Sequence, residues 1–438
     1  MVWWTEQKAH LKWLRPGMGV KRWVALLICG LALLVLAVVA VSRAGELSGL
    51  WARLQRLHLP SVNPAFEALL LFGVGSALIA WAIYGMNHAI VSAFQRADQA
   101  KVADVVYRHR QRQRGPKVVA IGGGHGLNTL LRGLKAYTDN ITAIVTVADD
   151  GGSSGRLRRD LGMLPPGDFR NCIAALSDAE GLVSQLFQYR FGDETDLEGH
   201  SFGNLYLSAM TAITGSFESA LEESSRVLAV RGRVIPSTLA QVTLCGEVLM
   251  PDAVPPAGSE PEGARSRLTL VRGESSIGSA TGRIQRVYLD PEAPPAYPKA
   301  IRAILDAELI VIGPGSLYTS VLPNLLVPDL AQAIITSPAI KLYVCNVATQ
   351  AGETQGYNVT DHVDTLRQHV GDEMITTVVA NQTFIGSRPP GSGVDWVRLP
   401  APESVDYQLL ARDLVDRQYP WRHDSRKLAQ ALMEAIGF

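Results

Sequence analysis

Two long apolar runs open the chain, and short apolar runs alternating with amphipathic stretches fill the rest of it. Trp23 to Val41 is an uncharged stretch of 19 residues. At about 1.5 Å per residue such a helix covers roughly 28 Å, close to the thickness of a bilayer's hydrocarbon core. Ala68 to Gly85 is a second uncharged run, with Trp81 and Tyr84 near one end, where interfacial aromatic residues sit. The pair predicts a two-span transmembrane hairpin over 23–86, because the first run exceeds a typical signal-peptide core and the second follows it directly. Basic residues orient it: five lie in the 1–22 segment, three (Arg43, Arg53, Arg56) between the runs, and seven from Arg96 to Lys117. Both ends are therefore expected in the cytoplasm, which makes a multi-pass inner-membrane protein with a large cytoplasmic C-terminal domain. Residues 87–114, polar and without Pro or Gly, predict a basic helical linker able to grip anionic lipid. Gly115-Pro116 stops it.

From there to residue 438 the pattern changes. Lys117 to Ile121 is a β-branched run, followed by Gly122-Gly123-Gly124-His125-Gly126 and then by Leu127, Leu130, Leu131 and Leu134 at helical spacing. Ile141 to Val147 is a second strand, and Leu309 to Ile312 and Lys341 to Cys345 are two more. Helical periodicity covers about 171–190 and 201–230, the middle of the domain reads as mostly helical, and 250–265 reads as an exposed Pro/Gly/Glu loop. Strands alternating with helices predict an α/β fold: a doubly wound, mostly parallel, Rossmann-like sheet with an added helical region, binding ligand beyond the carboxyl ends of its strands.

Composition narrows the function. The chain carries 41 basic and 41 acidic residues, so it lacks the electrostatic footprint of a nucleic-acid binder, and no nucleic-acid partner is expected. Four cysteines without a Cys-x-x-Cys pair support neither a disulfide framework nor a zinc site. The Ser-rich run at 153 is not read as a Ser-His-Asp elbow of the Gly-x-Ser-x-Gly kind, so hydrolase chemistry is not indicated.

The candidate chemistry sits in loops after strands. Gly123, Gly124, His125 and Gly126 link a strand to a helix, where bare backbone N–H groups can meet a phosphate; a tight structural turn is the alternative. The cluster departs from both the dinucleotide and the Walker patterns, which weakens a nicotinamide reading. Asp149 and Asp150 close the second strand before Gly151, Gly152, Ser153 and Ser154. The two carboxylates are candidate Mg²⁺ ligands with the ligand's phosphates, against the plainer reading of solvated acids and helix capping. A rigid turn then presents Asp168, Arg170 and Asn171; Arg170 can clamp a phosphate or close the turn with Asp168. His200 and Asn204, four apart, share a face if helical. Gly313, Gly315, Ser316 and Tyr318 follow another strand, with Tyr318 either stacking on a base or sugar or buried under the turn. Asn346 and Thr354 flank a last loop.

Taken in order, the motifs 122–126, 149–155, 165–171, 200–204, 313–320 and 346–354 resemble those of the gluconeogenesis factor family, related to 2-phospho-L-lactate transferase, over about 117–438. The resemblance implies a regulator that binds UDP-N-acetylglucosamine and is needed for cell shape and envelope synthesis on gluconeogenic carbon, with no established reaction or cofactor. It implies that Asp149 and the Gly/Ser loops meet the ligand, Asp168, Arg170 and Asn171 its phosphates, and Tyr318 its uridine-sugar side. Ala351 stands where the family usually has proline, and the hairpin departs from soluble members. Expected partners are the UDP-sugar, the inner membrane, an envelope-synthesis protein and a second copy of the chain. A Mg²⁺-dependent phospho-transferase is the alternative.

Overall fold

The computed structural model describes residues 21–41, 64–94, 110–178, 180–192, 196–251, 266–386, 393–401 and 405–438. They fall into two compact units, Met1–Tyr107 and Arg108–Phe438. In the first unit, helices α1 (Lys21–Val41) and α2 (Pro64–Phe94) lie side by side, with the Trp23 and Trp81 rings 6.4 Å apart. One segment, Ala68–Asn87, is long and apolar enough to cross a membrane, whereas the apolar part of α1, Arg22–Val38, is shorter. Among the described residues the expected pair of spans is thus reduced to one candidate by length and composition. Most of the expected linker, 95–109, lies outside the described residues.

The second unit is built on seven strands: β1 (Val118–Gly122), β2 (Ile141–Val145), β3 (Arg233–Pro236), β7 (Leu309–Ile312), β8 (Ile340–Val344), β9 (Thr377–Asn381) and β10 (Gln408–Arg412). They pair in parallel in the order β10-β9-β8-β7-β1-β2-β3. Every residue of β1, β2, β7 and β9 is buried, which is why β1 and β7 read as continuous apolar runs rather than alternating ones, while β9 is not among the expected strands. Chain order runs outward in both directions from the β1–β7 pair, so the topological switch point, where such sheets open a crevice, lies between them.

Helices α3 (Gly124–Leu134), α4 (Gly152–Leu161), α5 (Gly167–Leu176), α6 (Glu180–Gln188), α7 (Phe202–Thr214) and α8 (Phe217–Val227) follow β1 and β2. Each long expected helix is thus broken in two; Ser216 accepts from Ser219 N–H to cap the second helix of its pair.

The middle of the unit differs from expectation. Strands β4 (Thr243–Pro251), β5 (Ser266–Arg272) and β6 (Arg283–Asp290) form an antiparallel sheet in the order β5-β4-β6, with the short helix α9 (Glu274–Gly278) between β5 and β6. A register shift at Glu247/Val248 breaks the two-residue period by which such strands are recognised. The expected loop falls at residues 252–265, outside the described ones. Helices α10 (Pro298–Leu305), α11 (Leu322–Leu325), α12 (Pro328–Thr336), α13 (Val359–Val370) and α14 (Ser425–Ala435) complete the fold.

Candidate functional site

At the switch point the loops leaving β1 and β7 touch. A methyl group on Gly126 would overlap the Pro314 carbonyl, and Gly124, which opens α3, has φ +63°, so glycine is required at both places. Asn346, after β8, locks the second loop from behind: its Oδ1 accepts from Gly315 N–H (3.3 Å) and its Nδ2 donates to Gly315 O (2.9 Å). The loops line a cavity of 300 Å³ together with Thr146, Asp149, Asp168, Glu274, Thr319 and Ser320.

At the N-terminus of α3 stands His125, exposed, with its pKa lowered by partial burial and by the charges of Arg422, Arg170 and Arg132. Carboxylates stand against the same loop. Asp168 accepts the Gly124 N–H, and burial and neighbouring Asp149 push its pKa up to about 6 against the pull of Arg170. Burial raises Asp149 as well, offset by the Gly151 N–H and the Ser154 hydroxyl. Glu274 goes up to about 8, through burial and then the charges of Asp149, Asp150, Asp168 and Glu353. Carboxyl groups that mutually repel in this way invite a proton or a cation.

Of the residues expected from the sequence, Gly123, Gly124, His125, Gly126, Asp149, Asp168, Gly315 and Ser316 line this cavity. The Asp149–Asp150 pair is split. Adjacent side chains of an extended chain point apart, so Asp149 faces the cavity while Asp150 accepts from Ser275 N–H (2.9 Å) and anchors α9. Among the described residues no three His, Cys, Asp or Glu side chains are grouped to hold a metal. A hard cation here would have to share its coordination with ligand oxygens, the arrangement Mg²⁺ favours with phosphates.

Several other expected residues hydrogen-bond within the protein and do not line this cavity. Arg170 is buried, with Nε donating to Gly167 O (3.3 Å) and Nη1 to Phe187 O (3.1 Å), so it ties α5 to α6 rather than lining the cavity. Asn171 Oδ1 accepts from Gln188 Nε2 (2.7 Å) at the same junction. His200 precedes α7 instead of sharing a helical face with Asn204, yet both reach Ser153: His200 Nδ1 at 2.9 Å and Asn204 Nδ2 at 3.0 Å. They hold Ser153 and Ser154 in the first turn of α4, where Gly151 and Gly152 form the entry. Tyr318 is 2% exposed and hydrogen-bonds Tyr357 Oη (2.8 Å), so no face is open for stacking. Gly313, at φ +77°, shapes the turn, and Thr354 Oγ1 accepts from Gln350 N–H (3.0 Å) inside the last loop.

Four lining residues escaped the sequence reading. Thr319 and Ser320 belong to a stretch singled out as a motif, and Thr146 lies three residues before Asp149. Glu274 had no local signal, because only the unforeseen antiparallel sheet brings it to the rim.

The fold and its rim define a doubly wound α/β protein with a glycine-lined ligand crevice at the switch point. A family model described as 2-phospho-L-lactate transferase CofD matches residues 118–437, and the chain belongs to that family. It is 46% identical over 334 residues to "Gluconeogenesis factor" of Bacillus subtilis (strain 168), covering 73% of this chain and 98% of that one. It is 43% identical over 440 residues to "Putative gluconeogenesis factor" of Nostoc sp. (strain PCC 7120), covering 97% and 92%. A crystal structure of a UPF0052 family member from Bacillus halodurans superimposes with a TM-score of 0.66 at 42% identity, covering 73% of this chain and 99% of that one. The Nostoc match reaches into the N-terminal unit, so that unit is shared by part of the family rather than peculiar to this chain.

Proposed function

We propose that this protein is a ligand-binding regulator that takes a nucleotide sugar, UDP-N-acetylglucosamine, at the β1–β7 crevice and links carbon metabolism to envelope synthesis and cell shape. The observation that carries the reading is the convergence of two glycine loops, one at a helix N-terminus beside His125, on a single cavity. Such a site suits phosphate oxygens, which the positive end of the helix dipole attracts. The family resemblance and the relatives' names support the metabolic role. In the same reading the apolar α2 segment holds the domain at the cytoplasmic membrane, with a protein of envelope synthesis and a second copy as partners. Reporter fusions test the topology: after Gly115 a reporter should be cytoplasmic, and a cytoplasmic reporter at Arg53 would rule out a span at α2.

The carboxylate side supports a second reading, a Mg²⁺-dependent phospho-transferase. Asp149 and Asp168 are the residues that would hold the ion, and Mg²⁺ would neutralise transferring phosphates. Calorimetry of residues 110–438, the portion that corresponds to the whole Bacillus relatives, against UDP-N-acetylglucosamine, UDP and NAD separates the readings. Saturable uridine-nucleotide binding without turnover supports the regulator. Metal-dependent product formation supports the transferase, and no uridine-nucleotide binding with or without Mg²⁺ sinks the first reading.

A further inference from the structure

A second, larger cavity of 820 Å³ adjoins the crevice, between the loop after α9 and the 351–357 turn. The two share a wall made by hydrogen bonds. Glu353, buried and lining the large cavity, accepts from Thr319 Oγ1 (2.9 Å) and from Gln350 Nε2 (2.9 Å), and Gln350 Oε1 accepts from Ser316 Oγ (2.7 Å). Thr319 and Ser316 line the small cavity. Helix α9 runs between them as well, with Glu274 in the small cavity and Gly278, one turn on, in the large one.

The lining of the large cavity is polar and open. Ser279, Thr281, Arg283, Gln355, Tyr357 and Asp361 offer hydroxyl, guanidinium, amide and carboxylate groups, and four glycines leave backbone in reach. Groups that both donate and accept suit a hydroxyl-rich ring. A nucleobase calls for an aromatic platform, and the one aromatic in this lining, Tyr357, is engaged with Tyr318.

Resting on the nucleotide-sugar reading above, we infer that the 820 Å³ cavity is the glycosyl lobe of the site, with the phosphates in the β1–β7 crevice and the Ser316–Gln350–Glu353–Thr319 wall between the two halves. The lobe gives the protein its discrimination between a nucleotide sugar and the bare nucleotide.

The test fills the lobe without touching the crevice. Ala351 and Ser279 are exposed residues of its lining on different loops. In the full-length protein, Ala351→Trp and, separately, Ser279→Trp should weaken UDP-N-acetylglucosamine binding about tenfold or more while changing UDP binding less than about twofold, with melting temperature retained. Equal weakening of both probes, or of neither, overturns the assignment while leaving the nucleotide-sugar reading standing. Wild-type protein that binds neither probe overturns that reading and the assignment together.

Discussion

The glycine loops and the carboxylates reach the same cavity by different routes. The loops at 123–126 and 313–316 are local products of their strands: an apolar run ends, glycines turn the chain, and a helical segment follows. Of the carboxylates, Asp149 is likewise local, but Asp168 comes from a helix that follows a turn and Glu274 arrives on the antiparallel sheet, held there by Asp150 and Ser275 N–H. Geometry therefore rests on the loops, whereas charge rests on long-range packing. The two should fail differently when altered.

The largest effect should come from the loops. Gly126→Val places a branched side chain against the Pro314 carbonyl and must push the β1 and β7 loops apart. Binding of UDP-N-acetylglucosamine should fall by about two decades in calorimetry, and retained affinity would show that the contact of the two loops does not matter.

Altering the carboxylates should instead change the pH response. Asp168 and Glu274 have folded values of about 6 and about 8, above their ordinary 3.8 and 4.5. The folded state therefore holds protons that the unfolded chain releases. The stability from this source is complete below about pH 4 and is lost as pH rises through about 6 and then about 8. The melting temperature of the free protein should fall across that window. Glu274→Gln should flatten its upper part. Metal-free nucleotide affinity should fall over the same range, because a phosphate then meets ionised carboxylates, and Mg²⁺ should reduce that loss. A melting temperature flat from pH 5 to 9 would contradict the assignment of both groups.

Arg170 gives a smaller, purely structural contrast. Lysine cannot serve the Gly167 and Phe187 carbonyls from one plane, so Arg170→Lys should cost about 2 kcal/mol of stability, a few degrees in melting temperature. Nucleotide affinity should stay nearly unchanged, and a tenfold loss would return Arg170 to the site.

The sequence shows the crevice more fully than its charge. Strands β1, β2 and β7 were legible because burial on both faces leaves them mostly apolar, β8 because its Leu342–Val344 end is buried, and all of the expected lining residues but Asp168 lie in or beside the loops that end these strands. Arg170, Asn171 and Tyr318 carry the right chemistry for a ligand, but orientation decides their use, and orientation depends on where α6 and Tyr357 pack. Asp150 was misplaced because neighbours in extended backbone face opposite ways. Glu274 was invisible because it follows β5, in a region that reads as helix and loop, and only the antiparallel sheet brings it to the rim.

Hydrogen–deuterium exchange of the full-length protein with and without saturating UDP-N-acetylglucosamine tests the central claim most directly. Exchange should slow at the backbone amides of 123–127 and 313–320, with the 274–281 and 351–357 segments following. Binding that leaves 123–127 and 313–320 unprotected would contradict it.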